Sequence, residues 1–475
     1  MTLHNLKETP LRAPLARGSV LAAAAALALT ACAQGTSDDA GTDAGTDAGA
    51  ESTYDPDAEL SGELSIMGFG AGDEIATVRL EAAEAVIDPV EVTLIEGDLD
   101  IQQFLSAVAA GDPPEIVYAN RDQIGTFASR GVIVPLDDCI EGEGVDTGMY
   151  RDVAIDQVTF GGSIYGIPEF NSVQITMANA ELLEAAGMSI DDVNGSDWDA
   201  IAAAAEAMVQ DDGGLSVIGY DSKLPEFLPL WAKANGVDLL SADGKTAQLN
   251  DPAVVEALKF AVGIYDAQGG FSAVKAFRDS NTDFFGAGNQ FATNTLGAMS
   301  FEQWYVNVLN ESSPDAAMAF DTFRDKEGQT IAFASGSAWA IPKDSANPVA
   351  ACKLATTMTA VETWQAAAQA RVDARTEQGL PFTGLLTGNE EADTAIQELV
   401  VEIGDEKWDA AVAATYEAND NTFALPANPA DAEFKTAWQD AVNRVLNGQQ
   451  EPQEAMDEAQ EQAQAALDAA WADAE

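Results

Sequence analysis

Histidine is nearly absent from this chain of 475 residues: one occurs, His4, ahead of the apolar run discussed below. The remainder holds none, which excludes Ser-His-Asp triads, imidazole general bases and most zinc sites. No cofactor and no metal are expected. Basic charge is scarce too, with 22 Lys and Arg against 79 Asp and Glu and a net charge of −57. A chain this acidic does not bind nucleic acid or anionic lipid through its general field. The acidic residues are spread along the whole length, as on a solvated surface, so no cationic ligand is inferred from them. The apolar run "VLAAAAALAL", from Val20 to Leu29, falls short of the roughly 20 residues that span a bilayer. Cysteine is limited to Cys32, Cys139 and Cys352.

What is present at the N-terminus follows an order. Lys7, Arg12 and Arg17 precede the apolar run, and Leu29-Thr30-Ala31-Cys32 ends it. Basic region, apolar stretch and small residues are the layout of a secretory signal, and "LTAC" looks like a bacterial lipobox, in which the thiol is acylated and the chain is cut before it. The alternative is an ordinary signal with an incidental cysteine. Residues 1–31 are therefore read as a lipoprotein signal peptide, with Cys32 as the lipidated residue. Residues 32–59, with "TDAG" twice in tandem, cannot bury a core and read as a disordered tether. A flexible tether of about 28 residues reaches on the order of 30 Å. The expected arrangement is a soluble body held at the extracytoplasmic face of the cell membrane by lipid alone.

From Gly62 the pattern alternates. "ELSIMGF", "VEVTLIEG" and "EIVYAN" read as strands; "DEIATVRLEAAEAVI", "DIQQFLSAVAAG" and "RDQIGTFASRG" read as helices, the last closed by Gly131. "SIYGIPEF" reads as one further strand. Such alternation predicts an α/β sheet. From about Asn179 the character is mostly helical, with Asp251-Pro252 opening one helix. "GSAWAIPKDSANPVAACKLATTMTA" returns to strand and helix. In the last helix Met456, Ala459, Ala463, Leu467 and Ala470 share a face. A chain that leaves a lobe and re-enters it crosses more than once, and crossings make a hinge beside a cleft. Crossings are expected near 170–174, 320–323 and 371–379. That gives an N-terminal α/β lobe, 60–170 plus 323–375, and a more helical C-terminal lobe, 171–322 plus 376–475.

"AGDPPEIVYANRDQIGTFASRGVIVPLDD", "VTFGGSIYGIPEF", "SFEQWYVNVL" and "LNGQQEPQEAMDEAQEQAQAALD" together resemble the extracellular solute-binding proteins of ABC importers, in the carbohydrate-binding branch that includes maltose-binding protein. The likeness extends over nearly all of the chain from Gly62. It implies a two-lobed periplasmic-binding-protein fold of type II, a monomer that closes on a di- or oligosaccharide and delivers it to membrane permease subunits, and no catalysis.

A sugar site needs flat aromatics for C–H faces and Asp, Glu, Asn or Gln for hydroxyl pairs. Such sites lie beyond the carboxyl ends of strands. Those rules select Glu74 with Asp73 after the first strand, Asn120 after the third, and Glu169 and Asn171 at the first crossing. The resemblance places a sugar-binding carboxylate at Asp122, competing with a helix-capping role. It places a stacking aromatic at Trp304 or Tyr305, next to Glu302 and Gln303, the other ring falling in a core. It also implies ligand hydrogen bonds at the Gly336-Ser337 turn, with Trp339 nearby. Trp231 reads as a second platform or as a core residue. Arg371 and Arg375 either line the cleft or pin the third crossing. Cys139 and Cys352 can pair or remain two buried thiols; both fall in first-lobe segments of an oxidising compartment, so a disulfide is expected. Two rivals stand beside sugar capture: an extracellular glycoside hydrolase using paired carboxylates, and a binding protein for a polyamine or a peptide.

Overall fold

In the computed structural model, which describes residues 54–211 and 213–474, two five-stranded sheets organise two lobes. The expected signal peptide, Cys32 and most of the tether lie outside the described residues. In the first sheet the strands run in the order Glu91–Ile95, Glu63–Met67, Ile116–Asn120, Ser335–Ala340, Ile167–Ser172. The first three are parallel, and Ser335–Ala340 is antiparallel to both of its neighbours. Helix starts follow the sequence: Asp73 caps Glu74–Ile87 by accepting from the Ala76 amide, and Asp100 caps Ile101–Ala110, which ends on left-handed Gly111 at φ 74°. Leu64, Ile66 and Ile116 fill the core on one face, and Phe104, Val117 and Phe127 fill it on the other. "SIYGIPEF" is not one strand. It breaks at Tyr165-Gly166 into Ser163–Ile164, which pairs with Thr159–Phe160 in a small hairpin, and Ile167–Ser172, which joins the five-stranded sheet.

The second lobe has a sheet of its own, which the helical reading from Asn179 onward overlooked. Its order is Met318–Thr322, Gln174–Asn179, Leu296–Glu302, Leu215–Asp221, Gln210–Asp211. Gln174–Asn179 is buried along its whole length, so it lacks the apolar–polar alternation that marks a half-exposed strand. The helices around this sheet bury one continuous core, to which Met456, Ala459, Ala463 and Leu467 of Pro452–Ala474 contribute. No described helix is long and apolar enough to cross a membrane.

The first crossing is the single residue Val173, between Ile167–Ser172 and Gln174–Asn179. The other two come later than expected. After Thr322 the chain stays with the second lobe: the Arg324 amide bonds the Asn194 carbonyl, and Ala332–Phe333 pairs with Thr422–Phe423. We assign the second crossing to Ala334. The span 371–379 is no crossing, because Val361–Gln378 is one unbroken helix. Ile396 of the following helix, Glu390–Gln397, shares a core with Trp364 and Ala368, so we assign the third crossing to about 400–405. Cys139 and Cys352 form a disulfide within the first lobe, with S–S 2.02 Å and Cα atoms 6.0 Å apart. It ties helix Asp137–Gly142 to helix Pro348–Met358.

A buried polar chain joins the lobes beside the crossings. Asn171 Nδ2 donates to Asn419 Oδ1 at 2.6 Å, and Asn419 Nδ2 donates to Asp393 Oδ2 at 2.8 Å. Arg151 Nη2 reaches the same Asp393 oxygen at 2.9 Å, while Thr387 donates to the other by both its amide and its hydroxyl. Burial nevertheless pushes the Asp393 carboxyl up to about 6, with Arg151 opposing the rise. The folded chain therefore holds that proton at pH values where the unfolded chain has lost it, so this group's contribution falls as pH rises from about 4 to about 6. Asp393→Asn removes the titration. The stability difference between wild type and variant, from urea melts, is expected to move against wild type by on the order of 2–3 kcal/mol between pH 4 and pH 7. A difference constant with pH contradicts the assignment.

Candidate interlobe binding site

Register builds the cleft floor. In the first sheet Asn120 pairs with Ser337, and Gly336 with Asn171; in the second Glu302 pairs with Gln174. These strand ends face a cavity of about 520 Å³, lined from the first lobe by Tyr118, Asn120, Asp122 and residues 335–337, and from the second by Gln174, Phe227, Glu302 and Trp304. A second cavity of about 300 Å³ shares Phe170, Ser172 and Trp304 with the first and adds Asn171, Asn307 and Arg371. Trp304 thus lies on both cavities. Its indole Nε1 donates to Glu302 Oε2 at 2.6 Å, which fixes the ring while leaving aromatic surface on the cleft. Gln303 lines the smaller cavity only: its side-chain oxygen accepts from the Val173 amide at 2.9 Å and its backbone amide donates to the Val173 carbonyl. The Glu302–Trp304 corner is therefore locked to the first crossing.

The opposite wall comes from a segment that sequence reasoning missed. Leu425, Ala427, Asp431, Phe434, Lys435, Trp438 and Gln439 all reach the larger cavity. Lys435 Nζ bonds Asp122 Oδ2 at 2.7 Å across the lobes, and Arg130 meets Glu433 at 3.0 Å. The approach is close: a Cβ on Gly125 would stand 2.5 Å from the Asn428 carbonyl. Asp122 Oδ1 is buried with no protein partner, so a carboxylate oxygen in the cleft is unspent. Desolvation first, and the nearby Asp122 charge second, push the Asp431 carboxyl well above the usual carboxylate range. The Pro/Asn-rich "LPANPA" ahead of helix Asp431–Leu446 was the available sign of a structured approach to that helix.

Several expected residues lie elsewhere. Glu169 is fully buried, ion-paired with Arg79 and bonded by the Tyr118 hydroxyl; Arg79 itself lies over the Trp364 ring at 3.9 Å. An ionised group in that position balances a buried guanidinium and has no face on the cavity. Trp231 is 1% exposed, donates its Nε1 to the Ser222 carbonyl at 2.9 Å, and packs edge-on against Phe323; it is a core residue of the second lobe. Trp339 is fully buried, 5.0 Å from Phe69 and 4.8 Å from Tyr118 between ring centroids. It lies two residues further along the strand than Ser337, opposite Tyr118 rather than Asn120, and does not line the cavity. Tyr305 is 1% exposed, with its ring on Phe284 and its hydroxyl on the Phe284 carbonyl. Glu74 pairs with Arg371, which also reaches Asp73 at 2.8 Å; Asp73 and Arg371 line the smaller cavity and Glu74 does not. Arg375 is spent between lobes, on the Pro381 carbonyl at 2.6 Å and on Asn310 Oδ1 at 2.8 Å. Asn171 faces the smaller cavity while committed to Asn419 and Arg121. Asn120, Asp122, Glu302, Trp304, Gly336 and Ser337 come together on the larger one.

Two sheets presenting strand ends to a polar, aromatic-edged cleft beside a three-pass crossing define a two-lobed binding protein. The chain belongs to the bacterial extracellular solute-binding protein family, whose model matches residues 79–376. Among solved structures it is similar to an ABC substrate-binding protein from Listeria monocytogenes in complex with cycloalternan: 20% identity, TM-score 0.67, covering 86% of this chain and 99% of that one. It is also similar to the GacH receptor of Streptomyces glaucescens, solved unliganded and with acarbose: 17% identity, TM-score 0.67, covering 86% and 99%. A third is the maltose/maltodextrin-binding domain MalE of Bdellovibrio bacteriovorus bound to maltotriose: 17% identity, TM-score 0.63, covering 86% and 99%. No curated protein sequence matches significantly.

The two neighbouring aromatics are expected to behave differently. Tyr305→Ala opens a core and should cost about 3–5 kcal/mol of stability, read as a lower melting temperature. Trp304→Ala should leave the melt nearly unchanged and alter ligand affinity alone. A large melting loss in Trp304→Ala, or none in Tyr305→Ala, reverses the assignment.

Proposed function

We propose that this protein captures an oligosaccharide in the interlobe cleft and hands it to the permease of an ABC importer, acting as a monomer without catalysis. The observation that carries the reading is Trp304: a fixed aromatic ring on both cavities, beside Glu302, Asn120, Asp122 and Ser337, which supply hydroxyl partners. Apolar ring faces with flanking polar groups suit a sugar's alternating C–H and hydroxyl surfaces. The relatives reported above hold cycloalternan, acarbose and maltotriose, which supports the same class here. The lipobox-like "LTAC" and the acidic tether support anchoring through Cys32, which would keep the body near its transporter.

One observation favours a second reading. Asp431, held protonated to a higher pH than usual, lies near the carboxylate of Asp122, and an acid beside an ionised partner is what glycoside hydrolysis uses. Against it, Asp122 is engaged by Lys435 and Asp431 by Asn428. A melting-temperature screen over gluco- and manno-oligosaccharides, with chromatography of the same mixtures, separates the two. Capture predicts a rise in melting temperature by mass action with the saccharide recovered intact; shortened products support hydrolysis, and no shift with any saccharide overturns the sugar reading. In cells, Cys32→Ala should release the protein from the membrane fraction.

A further inference from the structure

Phe285 is the exposed aromatic among the large apolar residues described, at 68%. Its exposure is not that of a loose loop. The preceding Phe284 turns inward, with its ring 4.4 Å from that of Tyr305 at 16° and its carbonyl accepting the Tyr305 hydroxyl at 2.9 Å. On the other side the turn closes on itself: the Gly288 amide donates to Asp283 Oδ2 at 2.6 Å, Asn281 Nδ2 to the Gly288 carbonyl at 3.1 Å, and Asn289 Nδ2 to the Gly286 carbonyl at 2.9 Å. A backbone held from both sides aims Phe285 outward. Its ring then lies 18° from the plane of Trp304 with centroids 6.1 Å apart, an offset-stacked pair. Phe285 lines neither cavity itself; it adjoins the cleft through Trp304, the ring that lines both, and is otherwise largely in water.

We propose that Phe285 is a specificity-determining residue: the outer step of an aromatic platform that begins at Trp304, receiving a further sugar ring of a ligand whose inner ring stacks on Trp304. This rests on the saccharide reading above and narrows it, since a ligand of one or two rings ends at Trp304 and a longer one continues onto Phe285. An exposed phenyl ring gains by stacking on a C–H face that is otherwise hydrated. The offset between the two rings suits consecutive rings of one chain better than a single ring held between them.

The test is calorimetric titration of the full lipid-free protein with linear gluco- and manno-oligosaccharides of two to five rings. Wild type should bind longer chains more tightly. Phe285→Ala should lose about tenfold in affinity for the longer chains, the scale of one aromatic contact. It should leave the disaccharide affinity and the melting temperature unchanged. Phe285→Tyr should retain the long-chain affinity. Wild-type affinity that does not rise with length, or equal losses at every length, overturns the inference while the sugar reading stands. Failure of wild type to bind any saccharide overturns both. A dimer that dissociates on Phe285→Ala with saccharide affinity untouched assigns the ring to a second copy and likewise overturns it.

Discussion

Arg121 is the constraint on which the cleft depends. Arg121 is 1% exposed and makes four hydrogen bonds, three of them beside the crossings: Nε on Gln157 Oε1, Nη1 on the Phe170 carbonyl, and Nη2 on Asn171 Oδ1 and the Ser335 carbonyl. One planar group thus holds the end of the third strand, the first crossing and the second. Lysine, a point charge with three donors, could not hold four acceptors in one plane. Burial lowers its pKa to about 10, which still leaves a cation at neutral pH. The neighbouring backbone has adapted to it: a Cβ on Gly336 would stand 2.0 Å from the Phe170 carbonyl and 2.8 Å from the Arg121 guanidinium carbon. The expected turn at Gly336-Ser337 is instead strand, and its small residue at 336 is required by the hinge before it is available to a ligand.

The scarcity of basic residues has meaning in that light. Arg79, Arg121 and Arg151 sit beside the lobe crossings and Arg375 bridges the lobes, each against carboxylates, amides or carbonyls, while Arg371 joins two elements of the first lobe. Buried pairs of this kind contribute little net stability against apolar substitutes, but losing one partner strands a charge and is costly. Here they fix where the chain passes between lobes. The cleft carboxylates meet other partners: Trp304 on Glu302, Asn428 on Asp431, and Lys435 across the lobes on Asp122. Arginine organises the hinge; Asn, Asp, Glu and Trp face the cavity.

Much of this was legible beforehand. Capping aspartates and alternating strands gave the first sheet; the rule that ligands meet strand carboxyl ends pointed to Asn120, and the family resemblance pointed to Asp122 and to the segment of Glu302 and Trp304, all of which line the larger cavity. What failed has a common cause. Gln174–Asn179 and Leu215–Asp221 are largely enclosed, so the periodicity that identifies strands is lost. Glu169 and Trp231 have site-like chemistry and are interior: a carboxylate beside a hinge can serve a ligand or a buried arginine, and only the position of Arg79 decides. Lys435 and Asp431 reach the cleft through contacts more than 300 residues distant in sequence from Asp122, which local pattern cannot show. Phe285 is adjacent to an identical residue, and nothing in "DFFGAG" says which ring turns out.

The central claim is that one ligand is held simultaneously by strand ends of both lobes. Hydrogen–deuterium exchange with and without a saccharide that raises the melting temperature tests it most directly. Protection should rise together in 120–123, 302–304, 335–337 and 425–431, on both sides of the cleft, with the outer faces of the lobes unchanged. Protection confined to one lobe, or found away from these four segments, would contradict the account.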